Sequence, residues 1–313
     1  MKFRLTDIYD EIYELSDVYS AVINKEDGVP ADDLVVVFPS HYNLPELKTI
    51  SAYIGDEIVF EGIIDEQEVN CGKDGCFLKI TARSLGAYLV DNEALPQTYY
   101  KPSLNTIFEK HIKPYGFTEL KGNQKIFTGK FVVNKGLSEW DVFKNFCSSF
   151  LNTVPRITSD GIVDASGRPS DKNEVALKNS PGYLMYSSIK SNIKRYSLIS
   201  EVFVSSKKSG KFDVRVCDEN LILKAVSRKR YLNAANAVLT PVSCGETLIK
   251  NGKKDAFIIK AVCVNPIAFE IGQRISISDP IVGEISGLLI YKIKYSLDSS
   301  GQKAEISMLR EEV

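Results

Sequence analysis

The stretch YIGDEIVFEGIIDEQEVNCGKDGCFLKITARS, residues 53–84, indicates the fold of the surrounding chain. Short runs rich in β-branched and aromatic residues alternate with Gly, Asp and Asn, which is typical of antiparallel strands joined by turns. Near its end, Leu78 and Ile80 point to one side of the strand and Lys79 and Thr81 to the other, as expected where one face meets a core. The segment NCGKDGC supplies a hairpin tip. We therefore predict an antiparallel β-domain here.

A similar pattern returns in EIGQRISISDPIVGEISGLLIYKIKYSLDSSGQKAEISMLR, residues 270–310. Each stretch contains Ile-Gly-x-x-Ile, a Gly-x-Ile strand start, a polar tip ending in Gly and a last strand closing on Arg. The sequence thus predicts two similar antiparallel, tube-like β-barrels near the two ends. The alternative is that antiparallel β-domains in general use Gly turns and alternating strands, so that the shared pattern reflects no duplication. The shared pattern rests on Ile54, Gly55, Ile58, Gly62, Ile64, Gly75 and Arg83 in the first stretch and on Ile271, Gly272, Ile275, Gly283, Ile285, Gly301 and Arg310 in the second.

The middle of the chain combines helices with strands. The segment PSLNTIFEKHIKPYGF has Ser103 as an N-cap, an apolar stripe that starts at Leu104, and Pro114 with Gly116 as a stop. In LSEWDVFKNFCSSFL a second helix begins after Ser138, with acidic residues in its first turn. We therefore predict the fold class α+β, mainly β. The predicted domains are 1–90, a first tube-like β-barrel domain, 91–170, an α+β middle domain, 171–235, a second, β-rich middle domain, and 236–313, a second tube-like β-barrel domain.

The composition describes a globular chain without a strong charge bias. Of its 313 residues 44% are apolar, and 39 Lys and Arg balance 40 Asp and Glu. This balance gives no bulk electrostatic reason for binding nucleic acid or an anionic membrane, so the expected partner is protein. The first residues, MKFRLTDIYDEIYELSD, are too acidic for a signal peptide, and no run of about eighteen apolar residues occurs. We expect cytoplasmic synthesis and no membrane anchor.

Residues suited to catalysis or metal binding are few and scattered. The two histidines, His41 and His111, lie far apart, and His111 is interpreted as a hydrogen-bonded helix residue. Paired acids such as Asp65 and Glu66 invite a glycosidase interpretation, but strand alternation sends neighbours to opposite faces. The sequence contains no phosphate-binding glycine loop. We predict no catalytic residue, no cofactor and no metal.

The cysteines are too sparse for the disulfide scaffold of a small secreted domain, and we interpret them as reduced thiols. Cys71 and Cys76 flank GKDG at a hairpin tip, so a disulfide formed after release from the cell is the first alternative and a metal site the second. The six positions are Cys71, Cys76, Cys147, Cys217, Cys244 and Cys263.

Three basic clusters fall at turns or at the ends of predicted elements, namely 207–211, 228–230 and 250–254. Lysines in such places are usually solvated, whereas contact with phosphate is the alternative. We expect no nucleic-acid binding.

Two segments resemble a known family, the baseplate hub proteins of contractile phage tails and phage-tail-like particles, including Mu-like and T-even-like hubs and tail-like bacteriocins. The closing segment ETLIKNGKKDAFIIKAVCVNPIAFEIGQRISISDPIVGEISGLLIYKIKYSLDSSGQKAEISML resembles the last domain of these hubs. The segment ITARSLGAYLVDNEALPQTYYKPSLNTIFEKHIKPYGF is similar to their exit from the first barrel. Together the two segments cover about one third of the chain, in matching order. The chain is compact beside the large T-even hubs, so extra docking domains are expected to be missing.

The resemblance implies a structural baseplate hub, a homotrimer whose two barrels per subunit form a pseudo-hexameric ring between the hexameric tail tube and the trimeric central spike. It implies four partners: the chain itself, the central spike, a tail-tube or LysM-type tail protein, and the baseplate wedge. The protein would be made in the bacterial cytoplasm and assembled into a phage tail or tail-like particle. The alternatives are a peptidoglycan-degrading tail enzyme and an oligonucleotide-binding β-barrel module. The residues expected at the ring-forming interface are Ile54, Gly55, Phe60, Gly62, Arg83, Ile271, Gly272, Gly283, Tyr291 and Arg310.

Overall fold

The computed structural model describes residues 1–40, 44–73, 75–205, 211–233 and 240–310. In these residues strands predominate, and the α-helices are short and lie between Ala87 and Ala256. This arrangement confirms the predicted class, α+β and mainly β. The helices are α1 (Ala87–Asp91), α2 (Leu104–His111), α3 (Glu139–Phe146), α4 (Glu219–Leu223) and α5 (Pro241–Ala256).

The strands are numbered in chain order and differ widely in length. The longest, β6 and β20, each have 16 residues, and the shortest have two. The strands are β1 (Lys2–Asp7), β2 (Ile12–Leu15), β3 (Ser20–Glu26), β4 (Asp33–Pro39), β5 (Leu47–Ile54), β6 (Glu57–Gly72), β7 (Gly75–Ser84), β8 (Gln97–Tyr100), β9 (Leu120–Lys121), β10 (Lys130–Val133), β11 (Arg156–Ile157), β12 (Val163–Asp164), β13 (Val175–Leu177), β14 (Tyr186–Ile193), β15 (Glu201–Ser205), β16 (Val214–Cys217), β17 (Lys229–Asn233), β18 (Phe257–Val264), β19 (Arg274–Asp279), β20 (Gly283–Asp298) and β21 (Gly301–Arg310).

One sheet of 13 strands connects the two ends of the chain. Its main path runs β14, β18, β21, β20, β3, β4, β7, β6, β5, β1, β2, with β19 and β13 branching from β20. The two predicted barrel regions are therefore joined edge to edge, through the antiparallel pairing of β20 with β3. They also share one hydrophobic cluster, which includes Ile23 and Phe38 from the first region and Phe269 and Tyr295 from the second.

Period-two alternation explains why these strands form a sheet with one buried face. In β4, Leu34, Val36 and Phe38 are at most 1% exposed, whereas Val35 and Val37 between them are only half-buried. Burying a side chain of this size stabilises the fold by about 1.5–3 kcal/mol. The inner face of the sheet therefore holds the core, and the opposite face remains in contact with solvent.

The two helices predicted in the middle region are present, with the predicted caps. The hydroxyl oxygens of Ser103 and Ser138 accept hydrogen bonds from the backbone N–H of Thr106 and Asp141, both at 3.1 Å. In return, the side chains of Thr106 and Asp141 accept from the cap N–H groups, which completes two capping boxes. The helices pack their apolar faces together in a second hydrophobic cluster that includes Trp140.

A third, smaller unit consists of β15, β16, β17 and α5. Val202 and Val204 of β15 pack with Ile249 of α5 in a separate hydrophobic cluster. Gly245 allows this close approach, because a Cβ there would lie 2.7 Å from the side chain of Val216. The unit brings together strands from the range 171–235 and a helix from the range 236–313, whereas β13 and β14 belong to the large sheet.

Candidate subunit interface

The two terminal regions contain the same hairpin. β6 and β20 are both 16 residues long, and their partners β7 and β21 are both 10. Each pairing has one register shift, between Ile64 and Glu66 in the first hairpin and between Ile290 and Lys292 in the second. These shifts fall at the same positions within the strands. The repeat inferred from the sequence is thus present as a hairpin of matched geometry.

The structural repeat has a different register from the Ile-Gly-x-x-Ile motif. Gly55 lies in the turn between β5 and β6 with φ +61°, whereas Gly272 precedes β19 with φ +81°. Aligning β6 and β20 from their first residues, and with them β7 and β21, places Arg83 with Leu309. The two Ile-Gly pairs therefore serve different turns, each of which needs a left-handed backbone.

The likeness extends to neighbouring strands and defines two units. The first tube unit has the order β3, β4, β7, β6, β5, β1, and the second has the order β14, β18, β21, β20, β19, β13. The first five strands are antiparallel to their neighbours in both units. The sixth differs, because β1 is antiparallel to β5 and β13 is parallel to β19. One subunit thus carries two like units side by side.

The junction between the units uses only half of β20. Its first half pairs with β19, and its second half, from Lys292 to Leu297, pairs with β3. On the core side of this junction Tyr295 and Ile23 lie opposite each other and are completely buried. On the solvent side Nζ of Lys292 lies 2.6 Å from a carboxylate oxygen of Glu26. We call this arrangement the β20–β3 junction.

The equivalent positions on the far sides of the two tube units have no strand partner among the described residues. β6 pairs with β5 only as far as Ile63, so the backbone of the segment Glu66–Cys71 pairs with β7 alone, while the side chain of Gln67 bonds to the chain at the start of β5. We call this segment the distal edge of β6. β14 pairs with β18 on one side, and its other side, from 188 to 193, is the outer edge of β14. Val69 on the first edge is 44% exposed, and Ile193 on the second is 67% exposed. Unpaired edges of this length are templates for pairing with another chain.

Several residues expected at the ring-forming interface are buried within the subunit. Phe60 and Ile271 belong to the shared hydrophobic cluster, and Ile54 packs against it. Gly62 has no room for a side chain, because a Cβ would lie 2.2 Å from the carbonyl oxygen of Arg83. These residues position the strands of the tube units and contact the rest of the same chain.

The two arginines of the set lie near the strand ends in different surroundings. The guanidinium of Arg83 donates hydrogen bonds to both carboxylate oxygens of Asp65 and of Asp91, at 2.7–3.0 Å. Arg83 thereby lowers the pKa of Asp91. Arg310 places its guanidinium 4.7 Å from the centre of the Phe257 ring. Arg83 fixes α1 against the hairpin, whereas Arg310 covers an aromatic ring of β18.

The remaining residues of the set mark backbone turns. Gly283 begins β20 with φ +89°, and Gly272 lies against the guanidinium of Arg156. The carbonyl oxygen of Tyr291 accepts a hydrogen bond from the N–H of Asp27 at 2.8 Å. Tyr291 therefore lies where β20 leaves β19 and joins β3.

A buried charged group connects the first tube unit to the middle region. Lys25 of β3 is 3% exposed; its Nζ donates to the hydroxyl oxygen of Ser159 at 2.8 Å and lies 3.5 Å from the carboxylate of Asp32. Burial raises the pKa of the Asp32 carboxyl to about 6, although the nearby Lys25 opposes this shift. The N–H of Ser159 donates to the carboxylate of Glu270, which extends the network to the second tube unit.

His111 has the structural role expected of it. It is 2% exposed, its Nε2 lies 2.9 Å from the hydroxyl of Tyr99, and its Nδ1 contacts the carboxylate of Glu139. Tyr115 donates to the same carboxylate at 3.2 Å. The network holds α2 against α3. His41 lies outside the described residues.

The interpretation of all six cysteines as reduced thiols is wrong for one pair. Cys71 and Cys76 are bonded, with their Cα atoms 4.0 Å apart. They are direct cross-strand partners at the tip of the β6–β7 hairpin, so the register brings the two sulfur atoms together. The other four cysteines lie outside disulfides.

The basic clusters make contacts within the chain where the structure describes them. Arg228 donates to the carbonyl oxygen of Arg195 at 2.8 Å, and Lys253 lies 2.5 Å from the carboxylate of Asp218. Residues 207–210 of the first cluster lie outside the described residues. These two side chains therefore bind other parts of the same chain at the ends of elements.

Within the described ranges, no group of three or more His, Cys, Asp or Glu residues is placed to hold a metal ion. Across the same ranges, no helix is both long enough and apolar enough to cross a membrane.

The chain shares its fold with tail proteins of known structure. It matches the 43 kDa tail protein of prophage MuSo2 from Shewanella oneidensis with a TM-score of 0.78 and 14% identity, over 99% of this chain and 98% of that one. It matches a tail protein from Neisseria meningitidis MC58 with a TM-score of 0.75 and 16% identity, over 99% and 95%. The resemblance to phage tail proteins inferred from the sequence is thus confirmed at the level of the fold.

The same fold occurs in a secretion system. An Escherichia coli component of the type VI secretion system, described as structurally similar to the bacteriophage T4 tail proteins gp27 and gp5, matches with a TM-score of 0.59 and 9% identity, over 95% of this chain and 74% of that one. No protein-family model and no curated protein sequence matches the chain.

Proposed function

We propose that the protein is a structural baseplate hub of a contractile tail or tail-like particle. In this role it is a homotrimer that joins a hexameric tail tube to a trimeric central spike. The shared fold with two prophage tail proteins and with a type VI secretion component supports a structural tail role. Its other partners are a tail-tube or LysM-type tail protein and the baseplate wedge.

The observation that carries the proposal is the presence of two like tube units in one subunit. Strands β14, β18, β21 and β20 of the second unit stand beside β3, β4, β7 and β6 of the first, in the same order and direction. Three copies of the chain would therefore present six like four-stranded units around one axis. Such a ring has threefold symmetry by sequence and near-sixfold symmetry by shape, which suits an adapter between a hexameric tube and a trimeric spike.

The size of such a ring suits a tube. Neighbouring strands lie about 4.8 Å apart, so twenty-four strands would enclose a circumference of at least about 115 Å. Barrels of this strand number leave an aqueous channel. The solvent-side face of the eight strands carries exposed polar residues such as Lys79, Lys260, Lys292 and Glu305, which fits contact with water.

The role is mechanical and needs no catalytic residue. Rigid tube units transmit force from the contracting sheath through tube and hub to the spike. The protein is made in the bacterial cytoplasm and assembled into the particle. Among the residues considered for catalysis, Asp65 accepts two hydrogen bonds from Arg83 and His111 is buried and bonded at both ring nitrogens, which supports a structural role for both.

The test is reconstitution with a trimeric central spike protein of a contractile tail. Co-purified protein should form rings visible by electron microscopy, with three copies of the chain per spike trimer. A peptidoglycan zymogram and heparin retention at low salt provide the comparison assays. Clearing of peptidoglycan, or retention on heparin, without a stable complex with the spike would overturn the proposal.

A further inference from the structure

The β20–β3 junction provides an internal template for the contact between subunits. We propose that the outer edge of β14 of one copy adds, antiparallel, to the distal edge of β6 of a second copy, in the register that β3 takes on β20. The inference rests on the proposed ring and names the surface and partner that close it. The partner is a second copy of this chain.

The register follows from aligning the two units. β6 aligned on β20 places Glu66 at the position of Lys292. β14 aligned on β3, through their partners β18 and β4, places Ser191 at the position of Ile23. Transferring the β20–β3 pairs gives the intersubunit pairs Glu66 with Lys194, Gln67 with Ile193, Glu68 with Asn192, Val69 with Ser191, Asn70 with Lys190 and Cys71 with Ile189.

Charge supports this register. The pair Glu66 and Lys194 repeats the ion pair of Lys292 and Glu26 with the two charges exchanged. On the same face, Lys190 of β14 would lie diagonal to the carboxylate of Glu68 on the distal edge of β6. An acidic edge therefore meets a basic one, which favours contact between unlike edges over pairing of either edge with itself.

Apolar exposure supports it as well. Val69 and Ile193 are on the core side of their strands, because they pair with Leu78 and Phe257 of the shared cluster. Both are nevertheless exposed in the isolated subunit, at 44% and 67%. Tyr295, which is the equivalent of Val69, is completely buried once β3 covers it. An added strand would cover Val69 and Ile193 in the same way.

The topology of the edges makes the contact head-to-tail, which is the kind of contact that a ring needs. Each copy has one distal edge of β6 and one outer edge of β14. These lie at opposite ends of the eight neighbouring strands β14, β18, β21, β20, β3, β4, β7 and β6. Contact between two different edges is head-to-tail, and such contacts close into a cycle when the curvature of the sheet permits. Each added subunit would also pair backbone groups that are otherwise left open at both edges.

The first experiment exchanges the proposed ion pair. Glu66→Lys and Lys194→Glu are made singly and together, and the association constant of the subunits is measured by sedimentation. Each single variant is expected to weaken association at least about tenfold, because like charges then face each other, and the double variant is expected to restore most of it. Lys125→Glu, an exposed change in the middle region, is the charge-matched control. Circular dichroism checks that each variant is folded.

The second experiment reads the register by disulfide capture. The variant Glu68→Cys with Asn192→Cys, in a Cys217→Ser background, should form covalent trimers on oxidation, because its two cysteines are direct partners. Glu68→Cys with Ser191→Cys is the matched control, since its cysteines lie on opposite faces of the strands, and it should not cross-link.

The outcomes separate the inference from the proposed function. If the trimer associates equally well with either charge reversal and neither cysteine pair cross-links, the edge pairing is wrong and the hub role still stands. A covalent dimer from Glu68→Cys alone shows pairing of like edges and also overturns it. If the chain stays monomeric and no cysteine pair cross-links, alone or with the spike, both the edge pairing and the hub role are wrong. Cross-linked trimers that do not bind the spike support the edge pairing and count against the hub.

Discussion

Lys292 and Glu26 form an ion pair across the β20–β3 junction, with Nζ of Lys292 2.6 Å from Oε2 of Glu26. Both side chains are less than half exposed, at 44% and 46%. The pair joins residues from opposite ends of the chain, where β20 and β3 bring the two tube units together. The same geometry, with charges exchanged, is what we infer between subunits.

Reversing one charge of this pair should weaken the fold modestly. Lys292→Glu sets two carboxylates opposite each other, so we expect a loss of about 1 kcal/mol in the free energy of unfolding. The variant Glu26→Lys with Lys292→Glu should recover most of the loss. Urea unfolding measures both, with Lys125→Glu as a control for net charge. Equal losses in the single and double variants would contradict the direct pairing.

Gly62 should tolerate no side chain. A Cβ there would lie 2.2 Å from the carbonyl oxygen of Arg83 and 2.9 Å from the ring of Phe60, so the backbone of β7 must move. Gly62→Ala is expected to cost at least about 2 kcal/mol of folding free energy. Gly72→Ala, at the open tip of the same strand, is the control and should change stability by less than about 0.5 kcal/mol. Similar melting temperatures for the two variants would argue against this packing.

Asp32 should make the protein more stable at mildly acidic pH. Its pKa is raised from 3.8 to about 6, so the folded protein keeps this proton at pH values where the unfolded chain has released it. The stabilisation is fully present below the unfolded pKa and is lost as pH rises through about 6. Relative to Asp32→Asn, the wild type should lose up to about 3 kcal/mol between pH 4 and 7. Chemical unfolding across this range tests it, and a pH-independent difference would refute it.

The bonded pair of cysteines can be counted directly. Under denaturing conditions without reductant, alkylation should label four cysteines, and six after reduction. The loop that the bond closes is short, so Cys71→Ser with Cys76→Ser should cost no more than about 2 kcal/mol. Six labelled thiols in oxidised, purified protein would contradict the bond. Cys147→Ser provides a comparison at a buried cysteine outside disulfides.

Local patterns predicted the local structure well. The caps at Ser103 and Ser138 and the hairpin with its tip near Gly75 depend on residues close in sequence, and all are present. The repeat was also visible, because a polar tip ending in Gly75 or Gly301 precedes the last strand of each stretch. These features are fixed by backbone hydrogen bonding and by alternation within a few residues.

Features that depend on distant residues were less predictable. Strict alternation placed Asp65 and Glu66 on opposite faces, whereas the register shift beside Ile64 breaks the alternation and lets Asp65 reach Arg83. The β20–β3 junction pairs segments more than 250 residues apart, which no local pattern reveals. The shared Ile-Gly motif pointed to the right regions but to a different residue equivalence from that of the paired strands, because Gly55 and Gly272 serve different turns.

The solution mass of the intact chain tests the hub account most directly. Light scattering behind size exclusion should be measured for the chain alone at high concentration and then with a trimeric central spike protein of a contractile tail. We expect three copies of the 34.9 kDa chain in the particle measured in at least one condition. In the second condition the mass also includes one spike trimer. A mass of one chain in both conditions would contradict the trimeric adapter.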